Sequence, residues 1–262
     1  MLDAAIKRAT GYFQCDCRGA GTDWKVEELR RIAQALLGTV DIIPSPAEMR
    51  DQFRAMMQTA MARGVADAQL RVWAPQGAQV LFVRQVAPTV EDLTDRRVEV
   101  NALTGGYPTG AWGDEARDYH VAVRLPAKAV GQEQLAARVQ LAIGEQVMTQ
   151  GLVKAKWSND SEQTTRIDPQ VAHYTGQTEL AQVIQEGLAA KAAGNEELAT
   201  TKLGRAVQLA AETGNADATS KLRKVVDVDN EENGTVRLKK AVEKVDEMAL
   251  DTASTKTTRV RK

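Results

Sequence analysis

Aromatic side chains are scarce. Three Phe, four Tyr and four Trp make up 4% of a chain that is 43% hydrophobic, so its cores must be aliphatic and alanine-rich. Cysteine is confined to Cys15 and Cys17. Two apart on an extended segment, they share a face with Cα atoms about 6.5–7 Å apart, which disfavours a mutual disulfide. That excludes a disulfide-stapled fold, points to a reducing compartment and leaves the pair as small strand residues. Histidine is confined to His120 and His173, too distant in sequence from the cysteines to suggest a structural metal site. The formal net charge of -1 excludes a general electrostatic binder of nucleic acid or membrane. No apolar run approaches the roughly 20 residues of a membrane span, and the N-terminus has no signal-peptide core. The chain therefore reads as cytoplasmic, and its 262 residues suggest about two domains.

What is present begins with an α/β alternation over residues 1–66. Leu2, Ala5, Ile6 and Ala9 recur at helical spacing, and Gly11 can end that helix. The apolar run Tyr12–Cys17 reads as a strand ending in Gly19-Ala20-Gly21. Thr22 or Asp23 can cap the next helix, whose stripe is Val26, Leu29, Ile32, Ala33, Leu36 and Leu37. Val40–Ile43 reads as a buried strand. Ser45-Pro46-Ala47-Glu48 gives a capping box for a helix striped by Met49, Phe53, Met56, Met57 and Ala60. Two parallel strands with flanking helices cannot cover both faces and both edges of a sheet, so this layer is expected to be partial.

From residue 67 to 160 the period changes to two, predicting an antiparallel β-sandwich from Leu70-Val72, Val80–Phe82, Val121–Leu125, Val139–Ile143 and Val147–Trp157. Asn101–Glu115 reads as irregular, and 161–177 as a polar linker. Residues 178–228 predict a helical hairpin with a capping helix, broken at Gly194-Asn195 and Gly214-Asn215. Residues 229–262 read as a charged helix and tail, with the last dozen disordered.

A strand ending in Gly19-x-Gly21, then Asp23, then Leu29-x-x-Ile32-Ala33, a second strand and a helix bearing Phe53 resembles the C-terminal third of a von Willebrand factor A domain. Further segments resemble the sandwich and helical tail of cytoplasmic actinobacterial proteins carrying such a domain. These are Leu70-Arg71-Val72-Trp73, Gln85–Glu91, Tyr107-Pro108-Thr109-Gly110, Val171–Gly176 and Ser254-Thr255-Lys256-Thr257. The resemblance implies a multidomain α/β, all-β and α chain. It would hold a partial doubly wound layer, a β-sandwich, a tetratricopeptide-like helical hairpin and a flexible tail. Such domains hold a divalent ion through an Asp-x-Ser-x-Ser loop that precedes the segment matched here, a motif suited to hard cations. Asp217–Lys221 and Asp251–Thr255 are poor substitutes, so no metal ligand is assigned. The expectation is a truncated domain lacking its metal-site half, with Mg²⁺ bound only if that half is supplied.

Four candidate regions remain. Gly19-Ala20-Gly21 lacks the third glycine and the Lys-Ser/Thr of phosphate loops, so it reads as a tight turn. Its neighbours Thr22 and Asp23 form a possible ligand-facing loop. Tyr107, Trp112, Asp114 and Glu115 form a possible partner surface, read first as a structural corner. A hydrolase using Asp114, Glu115 and His120 is a remote third class, because no nucleophile or acid–base constellation surrounds them. In the tail, Thr252, Thr255 and Thr257 beside Lys256, Arg259, Arg261 and Lys262 suit a Ser/Thr kinase. Val260 three residues after Thr257 suits a phosphothreonine-reading forkhead-associated module. The leading expectation is a non-enzymatic protein–protein adaptor with protein partners. Its rival is a Mg²⁺-dependent ligand-binding protein.

Overall fold

The computed structural model describes residues 1–260, so Arg261 and Lys262 of the tail cluster lie outside the described residues. The chain divides into two compact units. One combines Met1–Gln58, Val86–Val90 and the chain from Ala172 onward. The other combines Thr59–Gln85 with Glu91–Val171.

The first unit opens with α1 (Leu2–Ala9), β1 (Cys17–Ala20), α2 (Val26–Ala35), β2 (Val40–Ile43) and α3 (Met49–Met61) as far as Gln58. β1 and β2 pair in parallel, Cys17 opposite Val40 and Ala20 opposite Ile43. The expected β–α–β alternation is present, but its first strand starts at Cys17 rather than Tyr12. Tyr12 N–H donates to Ala9 O, continuing the turn after α1, and Tyr12 and Phe13 are exposed. The apolar run predicted burial; the pairing with β2 decides where the strand begins. Gly38 lets the strands approach, because a Cβ there would fall 1.9 Å from Cys15 O. Ser45 Oγ meets Glu48 Oε1 at 3.1 Å across a 3₁₀ turn, Pro46–Glu48, that leads into α3.

The same unit contains α5 (Pro169–Ala192) from Ala172, α6 (Glu196–Glu212), α7 (Ala216–Val225), a hairpin of β11 (Val226–Asn230) and β12 (Thr235–Leu238), and α8 (Lys244–Ala253). Asn195 and Asn215 cap α6 and α7, each accepting a backbone N–H three residues on at 3.0 Å. Leu180, Ile184, Leu203, Leu209, Leu222, Val225, Val226, Val236 and Leu250 form one aliphatic core. Gly204 is required where α6 crosses the hairpin turn, since a Cβ would lie 2.2 Å from Gly234 O. α5, α6 and α7 follow one another as three helices where a helical hairpin and capping helix were expected. Two expectations fail. The polar linker is helical, as α4 (Ser161–Thr165) and the start of α5, because Asp160 and Asp168 supply N-terminal caps. The tail is packed, with Thr252, Ala253 and Ser254 buried and 255–258 half-buried.

The second unit holds two sheets that share one core. A five-stranded antiparallel sheet has the order β10 (Gln146–Lys156), β9 (Glu133–Ile143), β3 (Ala68–Trp73), β7 (Thr104–Pro108) and β6 (Val98–Asn101). A three-stranded sheet has the order β5 (Glu91–Asp92), β4 (Gln79–Ala87) and β8 (Asp118–Arg124). Leu70, Val72 and Tyr107 from the larger sheet meet Val83, Tyr119 and Val121 from the smaller, with Leu93 sealing the cluster. The expected irregular stretch therefore contains strand. β6 and β7 form a short hairpin whose Gly105 and Gly106 lie against the Arg97 and Gln69 side chains, which would have to shift to admit a Cβ.

Candidate functional site

In an open parallel layer, ligands bind where strands end and helices begin. The matching place here is the turn from β1 to α2. Gly21 adopts φ +68° and its N–H donates to Ile43 O at 3.3 Å, tying the turn to the end of β2. Trp24 fills the hollow above Gly19, where an added Cβ would sit 1.9 Å from the indole. The indole Nε1 donates to Gly21 O at 2.9 Å. Neither Thr22 nor Asp23 caps α2: Lys25 is the N-cap and makes no side-chain capping bond. Thr22 is half-buried and Asp23 exposed, so both reach the surface beside a turn already packed by its own tryptophan.

Cys15 and Cys17 place their sulfurs 3.8 Å apart as free thiols. Burial, with the neighbouring Cys15, pushes the Cys17 thiol up to about 12, which makes it a poor nucleophile at neutral pH. Asp16 accepts from Thr39 N–H and hydroxyl at 2.8 and 2.9 Å, so it fixes the loop into β2.

α8 returns to this layer. Arg30 on α2 donates through Nη2 to the Asp251 carboxylate and to Asp251 O, both at 2.6 Å. The pair is largely shielded, the side chains being 12% and 26% exposed, while Arg30 Nε is buried without a hydrogen-bond partner. Lys256 donates to Asp41 on β2 at 2.6 Å. Ser254–Val260 then runs as a strap. Thr257 N–H donates to Pro88 O and Val90 N–H to Thr255 O, giving an antiparallel bridge between Lys256 and Thr89. Gln185 reaches Ser254 Oγ at 3.0 Å and Gln177 reaches Thr258 Oγ1 at 3.1 Å. His173 Nε2 donates to Thr258 O at 2.8 Å. The buried Asn215 amide bridges Gln177 Oε1 and Lys256 O.

This geometry corrects the expectation of disordered hydroxyls. Thr252 is 1% exposed and its Oγ1 donates to Met248 O at 2.6 Å. Thr257 Oγ1 donates to Val86 O at 2.7 Å. Thr255 is half-buried and held through its carbonyl. Thr252 and Thr257 thus spend their hydroxyls on internal partners.

The aromatic–acidic loop is held by internal contacts. Tyr107 is 1% exposed and belongs to the core, which removes it from any partner surface. Trp112 Nε1 donates to Thr109 Oγ1 at 2.9 Å, and Arg117 stacks 4.6 Å over its ring. Arg117 also donates to Glu115 at 2.6 Å and to Ala111 O at 2.7 Å. Only Asp114 is left open to solvent without a described role. His120 lies on β8, half-buried, and burial together with Arg84 lowers its pKa. Among the described residues, no group of three His, Cys, Asp or Glu side chains is placed to hold a metal ion.

Trp24, Arg30–Asp251 and Lys256–Asp41 were not singled out from the sequence. Only the Asn after Gly214 carried a readable signal, as a helix cap. A pair separated by some 200 residues leaves no local pattern.

Comparison with known proteins places the chain. The von Willebrand factor type A C-terminal domain model matches residues 208–254, the segment from α6 through α8. Among solved structures, the chain is similar to a von Willebrand factor type A protein from Catenulispora acidiphila. TM-score is 0.93 and identity 49%, covering 99% of this chain and 62% of that one. It thus spans about three-fifths of that relative's length. Weaker likenesses are to the ArnB paralog VWA2 from Sulfolobus acidocaldarius (TM-score 0.45, 14% identity, 95% of this chain and 59% of that). A further one is to the human COPII-coat protein Sec24c (TM-score 0.42, 8% identity, 98% and 33%). No curated protein matches significantly. With the turn, the α8 closure and the near-full-length match together, the chain belongs to the von Willebrand factor type A domain proteins.

Proposed function

We propose that this chain acts by binding other proteins rather than by catalysis, as a cytoplasmic adaptor. Domains of this family mediate protein–protein interaction or metal-dependent binding. The observation that carries the reading is α3. It buries no residue, and Met49, Phe53, Met57 and Met61 follow one another at intervals of four along it, all exposed. That spacing makes a single apolar ridge about 18 Å long, and methionines adapt to varied partner shapes. Such a stripe fits a partner offering a helix or an apolar groove. A divalent cation enters only through oxygen ligands other than those described. A kinase and a forkhead-associated reader enter only after the Ser254–Val260 strap is released.

A photo-crosslinking amino acid placed at Met57 tests this. A discrete protein adduct, lost when Phe53→Asp is added, is the expected result. No protein adduct from either Met57 or Met61 would overturn the proposal. Calorimetric titration with Mg²⁺ tests the rival reading: a saturable heat on this chain alone would establish a metal site and displace the adaptor proposal.

A further inference from the structure

The larger sheet of the second unit ends in β10, and no strand pairs with the outer edge of β10 among the described residues. β10 is 11 residues long and almost wholly exposed. Its stretch Gln146–Val153 carries no charge and no proline, and Val147, Met148, Leu152 and Val153 are each 41–57% exposed. Register shifts fall at Val147/Thr149 and Val153/Lys154, leaving Thr149–Val153 as an unbroken run of ladder. An open edge of this length presents a row of backbone donors and acceptors that another strand can complete. Natural edges are blunted by charge, and here the charges sit only at the ends: Glu145 before the strand, Lys154 and Lys156 at its close. Lys156 has a distant internal partner, Glu133 at 4.0 Å, and both are largely exposed.

That arrangement is self-complementary when reversed. Antiparallel pairing with an identical strand sets the uncharged stretches against each other. It also brings the acidic start of each strand towards the basic close of its neighbour. We infer that β10 is the pairing edge of a two-fold homodimer, in which two copies join their five-stranded sheets antiparallel through Thr149–Val153. The contact is isologous, so it closes at two copies. The opposite edge, β6, is four residues long and interrupted by a register shift, which disfavours head-to-tail growth through that edge.

Sedimentation equilibrium of the full chain from about 1 to 200 μM tests the inference, the range suiting a contact made mainly by strand pairing. A monomer–dimer equilibrium is expected. Gln150→Lys, which sets like charges beside the axis, should raise the dissociation constant about tenfold without changing the circular dichroism spectrum. Glu145→Lys should weaken the dimer, and adding Lys154→Glu with Lys156→Glu should restore it, since the reversed charges are again complementary. A monomer at every concentration would overturn the inference. So would species growing beyond the dimer, a dimer indifferent to Gln150→Lys, or failure of the charge reversal to restore pairing.

Discussion

The two units reach their stability by opposite routes. The second is built almost entirely from one continuous span, Thr59–Val171, with only Val86–Val90 given to the other. Its core of Leu70, Val72, Val83, Leu93 and Tyr107 joins β3, which pairs with β7 and β9 further along the same span, to the β4–β5 pair. The first unit is assembled from three separated pieces, and its last helix and strap fasten residues near its beginning through Arg30–Asp251 and Lys256–Asp41. Closure within one span costs less loop entropy, whereas tying Asp41 to Lys256, a pair with side chains 34% and 43% exposed, closes a loop of some 200 residues beside the better shielded Arg30–Asp251 pair. The first unit should therefore be the more sensitive to single losses at its C-terminal end.

The sharpest way to break this contrast is Leu203→Ala. Leu203 is fully buried in the helical core, and truncation should cost about 2–5 kcal/mol. Urea unfolding followed by amide exchange should show protection lost across α5–α8 while β3, β7 and β9 keep theirs. Equal loss in both units would abolish the distinction. Next in size is Asp251→Ala, which strands the shielded Arg30 guanidinium. Because the pair is partly solvated, about 1–3 kcal/mol is expected, and Arg30→Ala in the same chain should not add its full cost. A double-mutant cycle in urea measures that coupling.

Thr257→Val is a smaller step. It removes the hydroxyl bond to Val86 O and leaves that carbonyl wanting a donor, for about 1 kcal/mol. Limited proteolysis at Arg259 should quicken if the strap is held as described. The smallest effect concerns His120 in the second unit. Its folded pKa lies below the ordinary value because burial and Arg84 disfavour the charged ring. The unfolded chain then binds more protons as pH falls through about 6.5, so wild-type stability should decline there. His120→Gln should flatten the decline in the urea midpoint between pH 7 and 5.

Much of the fold was legible because its signals are local. β2 begins and ends where the apolar run Val40–Ile43 does, and the breaks at Gly194-Asn195 and Gly214-Asn215 separate α5, α6 and α7 because Asn caps and left-handed glycines act within a turn. The strands around Leu70, Val121 and Val139 announced themselves by alternation. Gly105-Gly106 misled, since glycines that suggest a loop are used here to admit Arg97 and Gln69 against a strand. The site was less legible. Thr22 and Asp23 lie in the turn between β1 and α2, and the residue that fills it is Trp24. Tyr107 and Thr252 looked available as polar groups in polar stretches, and both are buried.

By itself, then, the sequence determined the alternation of elements, the aliphatic character of both cores, the helix breaks and the family. These follow from periodicity, caps and motif spacing, all of which act over a few residues. Only the tertiary structure decided that Ser254–Val260 is a strap, that α8 closes on α2 through Arg30 and Asp251, and that Trp24 occupies the turn. A charged, threonine-rich segment is locally indifferent between order and disorder. What orders it are Asp41, Pro88, Gln177 and Asn215, and nothing nearby in the chain foretells that they will be there.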